Sequence, residues 1–181
     1  MFQINTILQQ PLPDTAINQY QVVSKGLKQL EIIANNEAIG KLEFKKWSSI
    51  KADIIAGNQT YQIAPKSVWD TTIEVRKNNT LLLQFTINWK GNIAITTNFT
   101  AIDYQYTFKQ AGIFKNAYLL LNQAGEKLLT IQPHYKWIKF TYNYTVTTTP
   151  TFNDNSHQSL LLFTALYSVI YSMRVMTTMM I

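Results

Sequence analysis

The 181-residue sequence contains no cysteine, which excludes disulfides, thiolate nucleophiles and thiolate-ligated metals. Histidine is nearly as scarce. His134 follows Pro133 in an expected turn, and His157 stands at an expected helix start. Neither sits in an HExxH pattern, and the scattered carboxylates lack EF-hand spacing, so no metal or cofactor is expected. Asp154 and His157, with a nearby serine, imitate a proton relay. Polar residues three apart at a helix terminus are ordinary capping, however. The six glycines are isolated and are expected at turns, so no loop is built to cradle a phosphate. No catalytic set emerges, and the expectation is a protein that is not an enzyme.

Charge is also sparse, at 14% of residues, yet it is lopsided. Sixteen basic residues oppose ten acidic ones, for a net charge of +6. Arginine is almost missing: Arg76 and Arg174 are the two, and the other basic residues are lysines. Lysine is a hydrated point charge, whereas arginine supplies the planar fork that reads phosphates and guanines bidentately. With no nucleic-acid motif present, nucleic acid is not an expected partner. A lysine excess fits attraction to an anionic membrane or other polyanion, and equally fits a need for solubility. The N-terminal residues Met1, Phe2, Gln3, Ile4 and Asn5 provide no basic region or long apolar run. A signal peptide is therefore not expected, which points to a cytoplasmic location, extended to the membrane periphery if the lysines bind lipid. Nothing in the pattern specifies an oligomer.

Apolar and aromatic residues are plentiful, at 46% and 13%. That is the composition of a globular chain, of a length suited to one domain. Residues 1–18, with Pro11, Pro13 and Asp14, read as a leader. Residues 19–181 read as a single domain. Twelve short runs of alternating character follow: 19–24, 28–33, 38–45, 50–56, 59–65, 71–77, 80–88, 93–98, 104–109, 117–122, 127–132 and 138–146. Their separators, among them Lys25-Gly26, Asn35-Asn36, Gly57-Asn58, Asn78-Asn79, Gly91-Asn92, Gly112 and Gly125, are residues that tight hairpins demand. A strand about every ten residues indicates an antiparallel meander. In the third run Leu42 and Phe44 share one face, and Lys41, Glu43 and Lys45 the other. In the seventh, Leu81, Leu83, Phe85 and Ile87 are expected to share the inner face. Trp47, Trp89 and Trp137 recur at similar places in three weakly repeated hairpins.

The last segment differs in kind. After the polar residues Asp154, Asn155 and Ser156, residues 156–181 read as one helix, and 160–181 contain neither Gly nor Pro. At helical spacing its apolar side chains surround the axis, leaving no wet face. Such a helix is enclosed by protein, spans a membrane, or lies in a dimer interface. The stretch from Ser159 to Met173 gives roughly 22 Å of helix against a hydrocarbon core of about 30 Å. Spanning is permitted but not required, so a tail anchor over 160–181 stands as the alternative.

Twelve short antiparallel strands followed by one all-apolar helix resembles the tubby-like C-terminal domain superfamily, which includes the LURP-one-related proteins and phospholipid scramblases. The resemblance rests on element order and on the hairpin at Gly40-Lys41-Leu42 with the terminal helix. It implies a mostly-β fold, a barrel of about twelve antiparallel strands enclosing the hydrophobic C-terminal helix. It also implies phosphoinositide-type ligands. The residues that fit such a ligand are Lys41, Lys45, Lys46 and Lys51 beside Trp47, with Lys66 and Arg76 on later strands. Lysines near a membrane surface attract anionic headgroups at about 1 kcal/mol each, while Glu43 and Asp53 interrupt the patch. The function expected is a binding module for anionic phospholipid headgroups or another acidic partner.

Overall fold

Two pairs of asparagines show how the hairpins are set. Asn35 and Asn36, and again Asn78 and Asn79, all have φ between 48° and 66°. Two consecutive left-handed residues make the turn whose twist matches the flanking strands, and asparagine tolerates that region better than most side chains. In the computed structural model, which describes residues 19–46, 48–67, 70–88, 91–99, 104–112, 116–136, 141–153 and 157–179, such connections link twelve strands. They are β1 (Gln19–Ser24), β2 (Gln29–Ala34), β3 (Glu37–Phe44), β4 (Ala52–Ala56), β5 (Gln59–Pro65) and β6 (Ile73–Lys77). The second half comprises β7 (Thr80–Ile87), β8 (Ile93–Thr97), β9 (Gln105–Gln110), β10 (Tyr118–Leu121), β11 (Lys127–Lys136) and β12 (Thr141–Thr148). Each strand pairs antiparallel with its sequence neighbours. β12 returns to β1 with Tyr20 opposite Val146 and Val22 opposite Tyr144, closing a barrel. Closure leaves no unpaired edge for another chain to extend.

A twelve-stranded barrel is wider than its own inward side chains can fill. Here the space is taken by α2 (Gln158–Met179), reached through the short α1 (Pro150–Asn153). Ten consecutive residues of α2, 160–169, are at most 1% exposed. They pack on Ile32, Leu42, Ile54, Ile63, Ile73, Leu83, Phe85 and Phe108, all essentially buried in the same core. The lack of a wet face in the sequence is thus met by strands on every side. Leu160, Leu161, Leu162, Phe163, Leu166 and Val169 together contribute roughly 10–20 kcal/mol of gross burial, before chain entropy is subtracted. Three small polar residues of the helix, Thr164, Ser168 and Ser172, are buried with it. The Ser168 hydroxyl donates to the Thr164 carbonyl at 2.8 Å, a bond back to the preceding turn. Enclosure occupies the segment that the tail-anchor alternative would put in a bilayer. No helix among the described residues is long and apolar enough to cross a membrane.

Gly40 lies within β3 and not at the turn expected of it, and there the wall makes room for the helix. A methyl group added there would meet the Ile55 carbonyl oxygen at 2.6 Å and Phe163 Cζ at 2.7 Å. The missing side chain on β3 is the room that the Phe163 ring needs.

Several sequence expectations are corrected. His134 is not in a turn but inside β11, opposite Asn143 on β12, with Pro133 opposite Tyr144. In β7 a bulge inserts Leu82: Val75 faces Leu83 but Arg76 faces Leu81. Leu82 is therefore buried at 5% and Leu81 is only partly buried, against the simple alternation. The main helix starts at Gln158 rather than 156, and α1, which buries Phe152, precedes it. The leader 1–18, the three repeat tryptophans Trp47, Trp89 and Trp137, and the capping residues 154–156 lie outside the described residues.

Candidate functional site at the barrel mouth

Because the barrel is an up-and-down meander, all odd-numbered strands run toward one end, here the mouth, and α2 runs toward it as well. Two side chains of α2 fasten the helix to the connection between β3 and β4. The Tyr167 hydroxyl donates to the Ile50 carbonyl at 2.6 Å, and Arg174 Nη1 donates to the adjacent Ser49 carbonyl at 2.5 Å. The Arg174 guanidinium also lies 4.1 Å over the Phe44 ring, and Phe44 stacks on Tyr167 with ring centres 5.9 Å apart. A cation over an aromatic face is attracted by the ring quadrupole. Burial pulls the Arg174 pKa below its usual value, and the nearby Tyr167 and Tyr144 hydroxyls oppose that shift. The same burial pushes Tyr167 and Tyr144 well above the ordinary tyrosine range, so both are neutral phenols near neutral pH.

The mouth is cationic. The β1–β2 turn presents Lys25 and Lys28, and the β3–β4 connection presents Lys45, Lys46 and Lys51. Lys66 follows directly on β5, and Arg174 comes up from the centre. Carboxylates answer some of them, and Glu43, opposite Asp53 on β3, adds a negative charge at the same level. Glu31 pairs with Lys25 at 3.2 Å, Asp53 forms an ion pair with Lys45, and Asp70 lies near Lys66. Hydrogen bonds from the Thr72 backbone and side chain, then the Lys66 charge, hold the Asp70 carboxyl below its ordinary pKa. Among the described residues, no ion pair engages Lys28, Lys46, Lys51 or Lys66. Two large apolar side chains stand out in the same turns: Leu27 is 63% exposed and Ile50 is 42% exposed. The turns Asn35-Asn36, Gly57-Asn58 and Asn78-Asn79 at the opposite end contain no charged residue.

The residues expected from sequence divide accordingly. Lys45, Lys46, Lys51 and Lys66 come together at the mouth. Lys41 lies within β3 and is held by Glu43 at 3.0 Å. Arg76 lies near the far end, where it donates to Glu74 at 2.8 Å and to the Asn79 carbonyl at 2.9 Å. Trp47 lies outside the described residues. Sequence reasoning missed Lys25, Lys28, Leu27, Ile50 and Arg174. The usable signal was the segment Lys25-Gly26-Leu27-Lys28, a turn with a cation on each side of an apolar residue. Arg174 gave no such signal, because its neighbours are known only once the helix is inside the barrel.

Comparison with protein-family models, with curated proteins and with solved structures returned no match. The site therefore has to be read from its own chemistry.

Among the described residues, no group of three or more His, Asp or Glu residues could hold a metal. His157 stacks on Phe99 at 3.9 Å, and burial lowers its pKa. Its sequence partner Asp154 lies outside the described residues. A recess of about 370 Å³ is lined, among the described residues, by the neutral polar Thr60, Gln62, Asn78 and Asn79, whereas small-molecule sites are generally lined by apolar and aromatic side chains. A smaller crevice of about 130 Å³ opens at the mouth between the β1–β2 turn and α2, beside Arg174.

Proposed function

We propose that this chain is a non-enzymatic binding module of tubby-like architecture that docks the mouth of its barrel on an anionic phospholipid surface. One observation carries the reading: Lys28, Lys46, Lys51 and Lys66, engaged by no ion pair among the described residues though Asp70 lies near Lys66, share one end with two exposed aliphatic side chains, Leu27 and Ile50. Cations that meet phosphates and apolar groups that enter the acyl boundary are the two components of peripheral membrane binding. Lys28, Lys46, Lys51 and Lys66 at about 1 kcal/mol each give about 4 kcal/mol, a roughly millimolar attraction. Burying Leu27 and Ile50 adds about 2–3 kcal/mol and brings the affinity to tens of micromolar. The twelve-stranded wall and enclosed helix are the features on which the tubby-like likeness rests.

Vesicle co-sedimentation tests this. The full chain is expected to pellet with vesicles containing anionic phospholipid but not with neutral ones, and binding falls as salt is raised. Lys46→Glu with Lys51→Glu is expected to abolish pelleting, whereas Lys41→Glu leaves it intact. Leu27→Ser with Ile50→Ser weakens binding without changing its salt dependence. Equal binding to neutral vesicles, or dependence on Lys41 and Arg76 instead of Lys46 and Lys51, would contradict the proposal.

A further inference from the structure

The crevice beside Arg174 has the parts of a more selective site. Its volume of about 130 Å³ is below the roughly 300 Å³ at which small-molecule pockets begin, so it holds one chemical group and not a whole metabolite. Leu27, Leu30 and Ile170 supply its apolar lining, and Phe44, Tyr144 and Arg174 lie along the rest. Among the described lining residues the guanidinium is the one formal charge, and its fork matches the oxygens of a phosphate or carboxylate. Its position is fixed on two sides, by the Ser49 carbonyl and the Phe44 ring. A donor already held in place loses little freedom on meeting a ligand. Leu27 both lines the crevice and faces solvent, so a chain attached to the bound group has an apolar exit toward the mouth.

We infer that this crevice receives a single oxyanion, phosphate or carboxylate, carried on an alkyl chain, with Arg174 binding the oxyanion and Leu27, Leu30 and Ile170 contacting the first carbons. The inference deepens the mouth-docking reading and rests on it for its lipid source. The lysines supply general attraction, and the crevice supplies recognition of one headgroup.

Methyl-detected NMR on the full chain is the test, with hexyl phosphate, hexanoate, inorganic phosphate and hexanol as probes. Saturable shifts are expected at the Leu27, Leu30 and Ile170 methyls with an alkyl-borne oxyanion, and the tighter of hexyl phosphate and hexanoate identifies the headgroup. Inorganic phosphate and hexanol bind at least tenfold more weakly, each lacking one half of the ligand. Arg174→Gln reduces affinity for the tighter probe about tenfold or more, the loss expected for a charge-assisted hydrogen bond. Arg174→Lys, which keeps the charge and loses the fork, falls between. Unchanged affinity in an Arg174→Gln protein that melts normally would overturn the inference. So would equal shifts with hexanol. If Arg174→Gln does not fold, the wild-type titration decides, and methyl shifts confined to residues outside the crevice overturn it. Vesicle binding that survives in Arg174→Gln while hexyl phosphate binding is lost supports both readings as separate. Vesicle binding with no response to either alkyl oxyanion removes the crevice and leaves the lysine mouth.

Discussion

Replacing Gly40 with alanine tests the contact between the helix and its wall. A single added methyl at this position falls 2.6 Å from the Ile55 carbonyl oxygen, 2.7 Å from Phe163 Cζ and 3.2 Å from Ala56 Cα. Two of those atoms are backbone of the paired strand β4, which cannot rotate away. The third belongs to a fully buried ring in the centre of the core. Forcing an extra methyl into a packed interior costs typically 1–3 kcal/mol. Alanine recovers about 0.5–1 kcal/mol because glycine loses more backbone freedom in a strand. A contact this short against backbone puts the packing cost in the upper half of its range, so the net loss is about 1–2.5 kcal/mol, and for a chain of this size each kcal/mol lowers Tm by about 2–4 °C. Thermal unfolding should therefore show Gly40→Ala melting about 2–10 °C below wild type. Phe163→Leu removes the ring atom in question, so the double variant is expected to be about 1 kcal/mol more stable than the sum of the single losses. Rescue stays partial, since the Ile55 carbonyl remains. Gly40→Ala melting at or above the wild-type temperature, or strict additivity with Phe163→Leu, would refute the reasoning.

Tyr167→Phe deletes the hydroxyl that donates to the Ile50 carbonyl and is expected to cost about 1 kcal/mol in denaturant unfolding at neutral pH. In alkali, Tyr144 and Tyr167 have folded pKa values raised above 10 by burial. Their stabilisation is fully present below about pH 10 and is lost as pH rises and the unfolded chain ionises first. Tyr144→Phe or Tyr167→Phe should each flatten the alkaline fall by about 1.4 kcal/mol per pH unit above pH 10, measured by urea unfolding across that range. A slope unchanged in both variants would mean that neither phenol is enclosed. His157 behaves in the opposite sense on the acid side. Burial lowers its folded pKa, so its contribution is present above about pH 6.5 and declines below it. His157→Phe, which preserves an aromatic partner for Phe99, should shrink the drop in Tm between pH 7 and pH 5.

The architecture was legible because its signals are local and repeated. Alternation of residues such as Leu42 and Phe44 against Lys41 and Glu43, with asparagine and glycine at the turns, recurs in strand after strand. The helix was legible for the same reason: a segment apolar on all sides needs a complete enclosure. What escaped were features that depend on neighbours distant in sequence. The bulge at Leu82 answers the register of β6. Pro133 and His134 read as a turn because proline usually breaks a ladder, yet β12 carries the pairing past them to Lys136. The site was half legible. Lysines at 45, 46, 51 and 66 stood out by type, but outward alternation could not show that Lys41 is tied to Glu43, or that Arg76 points its charge at Glu74 near the far end. Arg174 stood out in the sequence only as one of two arginines until the helix was placed where its guanidinium meets Phe44 and Ser49.

The enclosure of α2 is the claim on which the mouth, the crevice and the scaffold all depend, and the absence of native cysteine makes it directly measurable. Ala165 in α2 is fully buried and Leu27 in the β1–β2 turn is largely exposed. In the single-cysteine proteins Ala165→Cys and Leu27→Cys, a maleimide reagent without detergent or denaturant should label position 27 within minutes. Position 165 should stay unlabelled until urea unfolds the barrel. Rapid labelling at 165 in a protein that still shows its native β spectrum would place the helix outside the strands and contradict the account.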